Sequence, residues 1–327
     1  MVLSRRGLAA GLLLGAALDA VLADPHRGHP VAAFGATASR AEAALWADSR
    51  GRGMTMVAVC LAPVAATGLA GQLASAHRAN GRLARVRPSA SVAVTALATW
   101  AVLGGTSLAR EAQAIGRLLD DGDLAAARRR LPALCGRDPD RLDAAGLARA
   151  TVESVAENTS DAVVAPLLWG AVLGVPGLLG YRAVNTLDAM IGHHSPRYER
   201  FGWAAARLDD AANLIPARIT GLLAAGLAPA VGGSPRHALR MLRRDGGKHP
   251  SPNAGRCEAA FAGSLAVQLG GQNVYHGRTE QRGLLGDGGP PDAADIARAV
   301  RLSRLVSVAA AALAAVIAHI LRRGRKP

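Results

Sequence analysis

The sequence predicts an all-α, polytopic integral membrane protein with amphipathic helices and polar site loops. Half of its 327 residues are hydrophobic and only 19% are charged. Its apolar runs reach membrane length and are built mostly from Ala, Leu, Val and Gly, the composition of helices that bury their own backbone polarity in lipid. The formal charge of +14 comes from 38 Lys and Arg against 24 acids, with many of the cations between apolar runs. That placement suits anionic lipid at loop ends better than nucleic acid.

The first run, residues 7–23, follows a basic start and lacks a small-residue cleavage motif, so it reads as a retained helix rather than a removed signal peptide. A second run covers 54–73, where Pro63 is tolerable within a span. The basic loop HRANGRLARVR follows it. Residues 89–108 are diluted by Thr, Ser and Gly and read as a short span or an interfacial helix, and the charge balance of the flanking loops favours a re-entrant or interfacial element. Residues 110–150 are charged and amphipathic, with loop signals at Asp121-Gly122 and Asp138-Pro139. They read as a soluble helical insertion within one membrane-embedded domain, 1–327, with Leu118, Leu119, Leu124, Leu131 and Leu134 on packed faces. A further span is expected over 162–179, broken near Pro176-Gly177, and another over 211–231, where Pro216 and Arg218 need a protein partner. A short apolar run at 257–269, a Gly-rich turn through 270–276 and a last helix over 305–321 complete the pattern.

Cys60, Cys135 and Cys257 are far apart and lack metal-ligand spacing, which argues against both a disulfide framework and a zinc site. Cys60 reads as a small buried hydrophobe. The adjacent pair His193-His194 has no third ligand at a fixed spacing. Trp46, Trp100, Trp169 and Trp203 stand near run ends as interfacial anchors.

Two polar islands interrupt this background: ESVAENTSD at 153–161 and DGGKHPSPNAG at 245–255. Glu153, Glu157 and Asp161 recur every fourth residue, which a helix sets in one row. Three such charges repel unless a cation or a basic side chain compensates, and Mg²⁺ with phosphate oxygens is one solution. Asn158, Thr159 and Ser160 add polar groups beside the row. The same residues read equally well as a cap before the next helix, with Ser160 or Asp161 at the N-cap. In the second island, Lys248 offers a point charge for phosphate, His249 can exchange a proton, and Ser251 and Asn253 can orient polar groups. No Walker loop is present. Between the islands, Arg182, Asn185, Asp188, Arg207, Asp209, Asp210 and Arg218 nearly balance in charge. They read either as a paired polar surface or as additional magnesium and phosphate ligands.

The words LDAVLADPHRGHPV, ESVAENTSDAVVAPLLWG, YRAVNTLDAMIGHHSPRYERFGWAAARLDDAANLIPARITG, RRDGGKHPSPNAG and LGGQNVYHG occur in this order over residues 18–277. In these words the chain resembles the adenosylcobinamide-phosphate synthase family, the CobD/CbiB-type membrane proteins of cobalamin biosynthesis. It departs from the usual pattern at Ala23, where a glycine commonly precedes Asp-Pro, and at Gly247, a site often held by a larger residue.

The resemblance implies a multi-pass cell-membrane ligase with a cytoplasmic site. Such an enzyme uses ATP and Mg²⁺ to join adenosylcobyric acid, a corrinoid, to aminopropanol or its O-phosphate. Glu153, Glu157, Asp161 and Asp210 are the candidate metal ligands, and Glu157, Lys248, His249 and Asp209 the candidate catalytic groups. Asn158, Ser160, Arg182, Asn185, Arg207, Arg218, Ser251 and Asn253 are candidate cofactor-binding residues. Other cobalamin-pathway enzymes, including a decarboxylase supplying aminopropanol phosphate, are the partners this implies. A corrinoid or phosphometabolite transporter and a non-catalytic assembly scaffold are the competing classes.

Overall fold

The structure is a computed structural model that describes residues 5–24, 28–77, 87–193, 195–275 and 278–321. Residues 78–86 of the basic loop after the second run, and His194, lie outside the described residues. The protein is all-α and polytopic. Its helices are α1 (Arg5–Leu22), α2 (Pro30–Leu45), α3 (Arg50–His77), α4 (Arg87–Val102), α5 (Gly105–Asp120), α6 (Leu124–Arg130) and α7 (Ala144–Thr159). They continue with α8 (Ala165–Leu173), α9 (Val175–Leu187), α10 (Trp203–Leu227), α11 (Pro235–Asp245), α12 (Ala254–Leu265) and α13 (Ala293–Leu321). One antiparallel hairpin, β1 (Leu269–Tyr275) and β2 (Arg278–Leu285), precedes the last helix.

Among the described residues, four segments are long and apolar enough to cross a membrane: 50–75, 90–120, 203–231 and 293–321, with 7–22 a shorter apolar helix. The third apolar run, read from sequence as re-entrant or interfacial, continues past Leu103-Gly104 into α5, so 90–120 meets the requirements of a span. The run at 162–179 does not form one span. Gly174, at φ 76°, ends α8, and Pro176 opens α9 in its first turn. A left-handed glycine followed by a proline turns the chain where continued α-geometry would have carried it onward.

The chain divides into two compact units. The first comprises 1–104, 165–213 and 310–327, the second 105–164 and 214–309. Within the first unit, α1 lies along α4. Gly11 and Gly15 stand opposite Thr95 and Thr99, and a Cβ on Gly15 would come within 2.6 Å of the Ala96 carbonyl oxygen. Small residues four apart let two apolar helices approach to backbone distance, which substitutes for the hydrophobic drive that lipid removes. A similar contact brings α3 to α9, where a Cβ on Gly68 would meet the Pro176 backbone at 2.8 Å. Gln72 caps α9 by accepting the Val175 N–H at 3.2 Å. Pro63 sits inside an unbroken α3. Cys60 is buried with Met56, Leu187, Ile191 and Phe201, and all three cysteines are free.

In the second unit α5, α12 and the hairpin pack on α7, and α11 packs on α12 and β2. Residues 110–150 belong wholly to this unit. Gly122, at φ 76°, makes the expected break, and Asp123 caps α6 by accepting the Ala126 N–H at 2.9 Å. Leu131 is buried, whereas Leu118, Leu119, Leu124 and Leu134 are half-buried. The Gly-rich segment expected as a turn is instead a strand start. Gly270 and Gly271 adopt φ of 83° and 85° and produce a register irregularity between Leu269 and Gly271. A bulge of two left-handed residues requires glycine and turns backbone amides toward α7.

Replacing Gly15 with Leu would force α1 off α4. We expect a loss of about 1–3 kcal/mol or more, read as a lowered melting temperature in detergent; an unchanged melting temperature would refute this packing.

Candidate active site

The acidic island is helical without interruption. Asp143 caps α7 through the Gly146 N–H at 2.8 Å, and the helix passes through a π turn, Ser160–Val164, directly into α8. Neither Ser160 nor Asp161 is therefore an N-cap, which removes the capping alternative. A π turn carries one extra residue per turn, shifts the faces of the helix after it, and recurs at functional positions. Glu153 is only 2% exposed and is committed structurally. Its carboxylate pairs with the buried Arg137 guanidinium and accepts the Gly270 N–H at 2.7 Å. Arg149, one turn earlier, donates to the Gly270 carbonyl, to the Gln272 carbonyl at 3.0 Å and to Asn273 Oδ1 at 3.3 Å. The hairpin is thus clamped to α7 by charges that would otherwise be unpaired in a low-dielectric interior. Asn158 spends its amide on the Ser154 carbonyl at 2.9 Å, and Thr159 donates to Val155 and shares a 2.6 Å contact with Ser303.

The second island is organised by Asp245, the last residue of α11, which is fully buried. Its oxygens accept two 2.7 Å bonds from Arg244 and one of 2.9 Å from the Gly286 N–H, and Lys248 Nζ lies 2.7 Å away. Burial pushes this carboxyl up, but the hydrogen bonds from Arg244, Lys248 and Gly286 outweigh it and hold the pKa well below the usual carboxylate range. Arg244 also reaches Asp287 at 2.6 Å. Gly283 on β2 lies against Lys248, where a Cβ would come within 2.9 Å of the Lys248 carbonyl oxygen. Lys248 itself stays half-exposed.

His249 occupies the turn that follows. Its Nδ1 accepts the Ser251 N–H at 3.0 Å, so the proton of the neutral ring is on Nε2. Ser251 Oγ then accepts the N–H groups of Asn253 and Ala254, at 3.3 and 3.2 Å, and starts α12. Gly255 is required beneath the imidazole because any Cβ there would collide with His249. Burial, and next the Arg282 charge, lower the His249 pKa to about 4. The imidazole is therefore neutral near pH 7, with one nitrogen already accepting and the other carrying the proton. That arrangement argues against the proton-acceptor role its sequence position suggested. Asn253 Oδ1 accepts from Arg218 at 3.4 Å, which places these two candidates side by side.

Glu258 joins the two islands. It is 1% exposed, neither carboxyl oxygen has a hydrogen-bond partner, and Oε1 lies 3.7 Å from His249 Nε2. Burial raises its pKa well above the ordinary value, the nearby Glu153 and Glu157 charges raise it further, and Arg282 and Arg137 oppose them. Cys257 beside it is raised by burial and then by Asp161, with Ser160 opposing them. The acidic row and the Lys-His turn thus share one electrostatic cluster. Glu258 was missed because it sits in the short apolar run after Cys257. Its signal was there to read: one ionisable residue amid Ala, Gly and Phe is costly unless it is used.

The remaining candidates lie in the first unit. Asp209 accepts from Asn213 at 2.9 Å and from Asn185 at 3.4 Å, and Tyr181 donates to Asn213 at 2.8 Å. Arg182 reaches Asn185 at 3.5 Å, and Arg207 pairs with Asp210 at 3.6 Å. Asp210 therefore belongs to a different unit from Glu153, Glu157 and Asp161. Among the described residues, no group of three or more His, Cys, Asp or Glu side chains is arranged to hold a metal ion. His29, 3.5 Å from Asp24, serves as the N-cap of α2 by accepting the Val31 N–H at 3.2 Å. His193 packs edge-on to the Tyr198 ring.

Asp245→Ala would leave Arg244 and Lys248 without their buried counter-charge. The Gly286 N–H would lose its acceptor as well, and we expect a loss of about 1–3 kcal/mol, visible as a drop in melting temperature; a shift within experimental scatter would contradict the role of the carboxylate. His249 has a folded pKa below its unfolded value of 6.5, so the unfolded chain binds its proton first as pH falls. Stability should decline from pH 6.5 toward 4, and His249→Gln should flatten that slope. An unchanged slope would rule out His249 as its source.

A CobD/Cbib protein family model matches residues 12–303. The cobalamin biosynthesis protein CobD of Mycobacterium tuberculosis is 56% identical over 311 residues, covering 95% of this chain and 96% of that protein. The proteins of the same name from Rhodobacter capsulatus and Geobacter metallireducens are 43% and 49% identical. The first alignment covers 85% of both chains, and the second 72% of this chain and 74% of its relative. No solved structure matches the chain. Both polar islands and the hairpin that links them fall inside the matched region, and by that match the chain belongs to the CobD/Cbib protein family, whose curated members are named cobalamin biosynthesis proteins.

Proposed function

We propose that this protein is an ATP-dependent amide ligase of cobalamin biosynthesis, joining adenosylcobyric acid to (R)-1-aminopropan-2-ol O-phosphate, or to aminopropanol, with its site on the cytoplasmic face of the cell membrane. One observation carries the reading. Glu258 stands 3.7 Å from His249 and within the field of Glu153 and Glu157, so two islands about ninety residues apart in sequence form a single cluster. An acidic, phosphate-capable cluster beside a membrane suits a reaction in which a carboxylate must be activated before an amine can displace oxygen.

In the first step, a carboxylate oxygen of the corrinoid attacks the γ-phosphorus of ATP. An O–P bond forms and the bond to the ADP oxygen breaks. The amine nitrogen then attacks the acyl carbon, forming C–N as the C–O bond to phosphate breaks. The departing phosphate carries negative charge, which the half-exposed Lys248 would stabilise. The incoming ammonium must shed a proton before attack. His249 Nδ1 already accepts the Ser251 N–H and its Nε2 carries the ring proton, so a neighbouring carboxylate, Glu157, is the better acceptor. Arg218 and Asn253 form an adjacent polar pair for an anionic substrate group.

Mg²⁺ bound with ATP would neutralise polyphosphate charge, and it needs only one or two protein carboxylates when phosphate fills its other positions. Glu157 and Asp161 suit that part. Glu153 is reserved for Arg137 and Gly270.

Purified protein supplied with adenosylcobyric acid, ATP, Mg²⁺ and either amine should yield the amide mass together with ADP. Glu157→Gln should lower turnover about 100-fold while the protein remains folded. No amide with either amine would overturn the ligase reading; corrinoid movement across sealed vesicles without covalent change would favour a transporter instead.

A further inference from the structure

We propose that the exposed arginine face of α11 is a binding surface for acidic phospholipid headgroups, holding the second unit against the membrane surface. The argument is independent of the reaction assigned above. α11 has the sequence PRHALRMLRRD. Its Ala238, Met241, Leu242 and Asp245 are buried, while Arg236, Arg240 and Arg243 are exposed. These three recur at intervals of four and three, forming one stripe about 10 Å long on a helix. Among the described residues no acid pairs with any of them. Arg244 extends the stripe but is shared with Asp245 and Asp287.

The position of the stripe identifies its occupant. The membrane-length segment 203–231 ends four residues before α11 begins. Arg298, near the start of the segment 293–321, donates two hydrogen bonds to the Val231 carbonyl, at 3.1 and 3.0 Å. Two candidate spans therefore terminate together at the base of α11, which sets this helix at the level where lipid headgroups lie. Half-buried Leu239 sits among the arginines in an open groove of about 600 Å³. Guanidinium groups grip phosphate bidentately, while their stems and Leu239 tolerate the upper acyl region. A juxtamembrane row of unpaired cations is attracted to anionic lipid by an amount that grows with each residue.

The test uses the full-length protein in neutral detergent, incubated with equal amounts of phosphatidylglycerol and phosphatidylcholine, with retained lipid counted by native mass spectrometry. We expect phosphatidylglycerol to be retained about tenfold over phosphatidylcholine. The triple substitution Arg236→Gln, Arg240→Gln, Arg243→Gln should bring retention close to parity, whereas the three Arg→Lys substitutions should largely keep the preference. Arg240→Gln alone, a milder change for folding, should lower it about threefold. Equal retention of both lipids by the unsubstituted protein would overturn the proposal, as would a preference that survives in both Gln variants. Displacement of phosphatidylglycerol by millimolar ATP or inorganic phosphate would also overturn it, identifying a small-phosphate groove instead.

Discussion

The second unit depends on the pairing of a few buried charges, and Asp245 is the central one. Its carboxylate is withdrawn from water and surrounded by Arg244, Lys248 and the Gly286 N–H, which come from the end of α11, the following turn and the exit of β2. No apolar contact would select so specific an arrangement. Hydrophobic burial is indifferent to direction, whereas a buried carboxylate must be met by donors at fixed distances. The arrangement fixes where α11 stops, where Lys248 emerges and how β2 leaves the hairpin. Glu153 does the same for the other edge of the hairpin through Arg137 and Gly270. His249 and Glu258 lie between these two anchored points, which is why a turn rich in Gly and Pro can hold a defined shape.

The first unit relies on another principle. Its helices carry exposed Leu and Val where lipid would lie, including Leu13, Leu14, Val59 and Leu97. Burial of such residues supplies little drive for helix association inside a bilayer. Close approach through Gly11, Gly15 and Gly68 provides dispersion contacts instead. The abundance of Gly and Ala is thus partly a packing requirement and not merely a mark of low polarity.

Much of this was legible in the sequence. Hydropathy identified most of the helical runs, and the break at Asp121-Gly122 was visible because glycine adopts left-handed φ without cost. The two islands stood out because clustered charge in an apolar background needs compensation. Other features depended on distant partners. Nothing local distinguishes Glu153, held by Arg137, from Glu157 one turn on, and the tautomer of His249 is set by a backbone amide that only the folded turn presents. Gly270-Gly271 reads as a turn in isolation; Arg149 and Glu153, more than a hundred residues earlier, convert it into a strand bulge. Glu258 was obscured by its apolar neighbours. That Asp209 and Asp210 belong to the first unit and the acidic row to the second is a property of topology that spacing does not encode.

The clamp between α7 and the hairpin bears on the order in which the chain matures. A lone two-stranded ribbon is marginal in water, and this one carries a glycine bulge that weakens it further. Its bulge amide and carbonyls have their counterparts on Glu153 and Arg149, residues synthesised more than a hundred positions before it. During biogenesis the ribbon has nothing to fold onto until α7 is set with Arg137 already in place, and the Lys-His turn between them is completed last. An emerging chain would therefore hold no finished polar cluster before its final helix is under way.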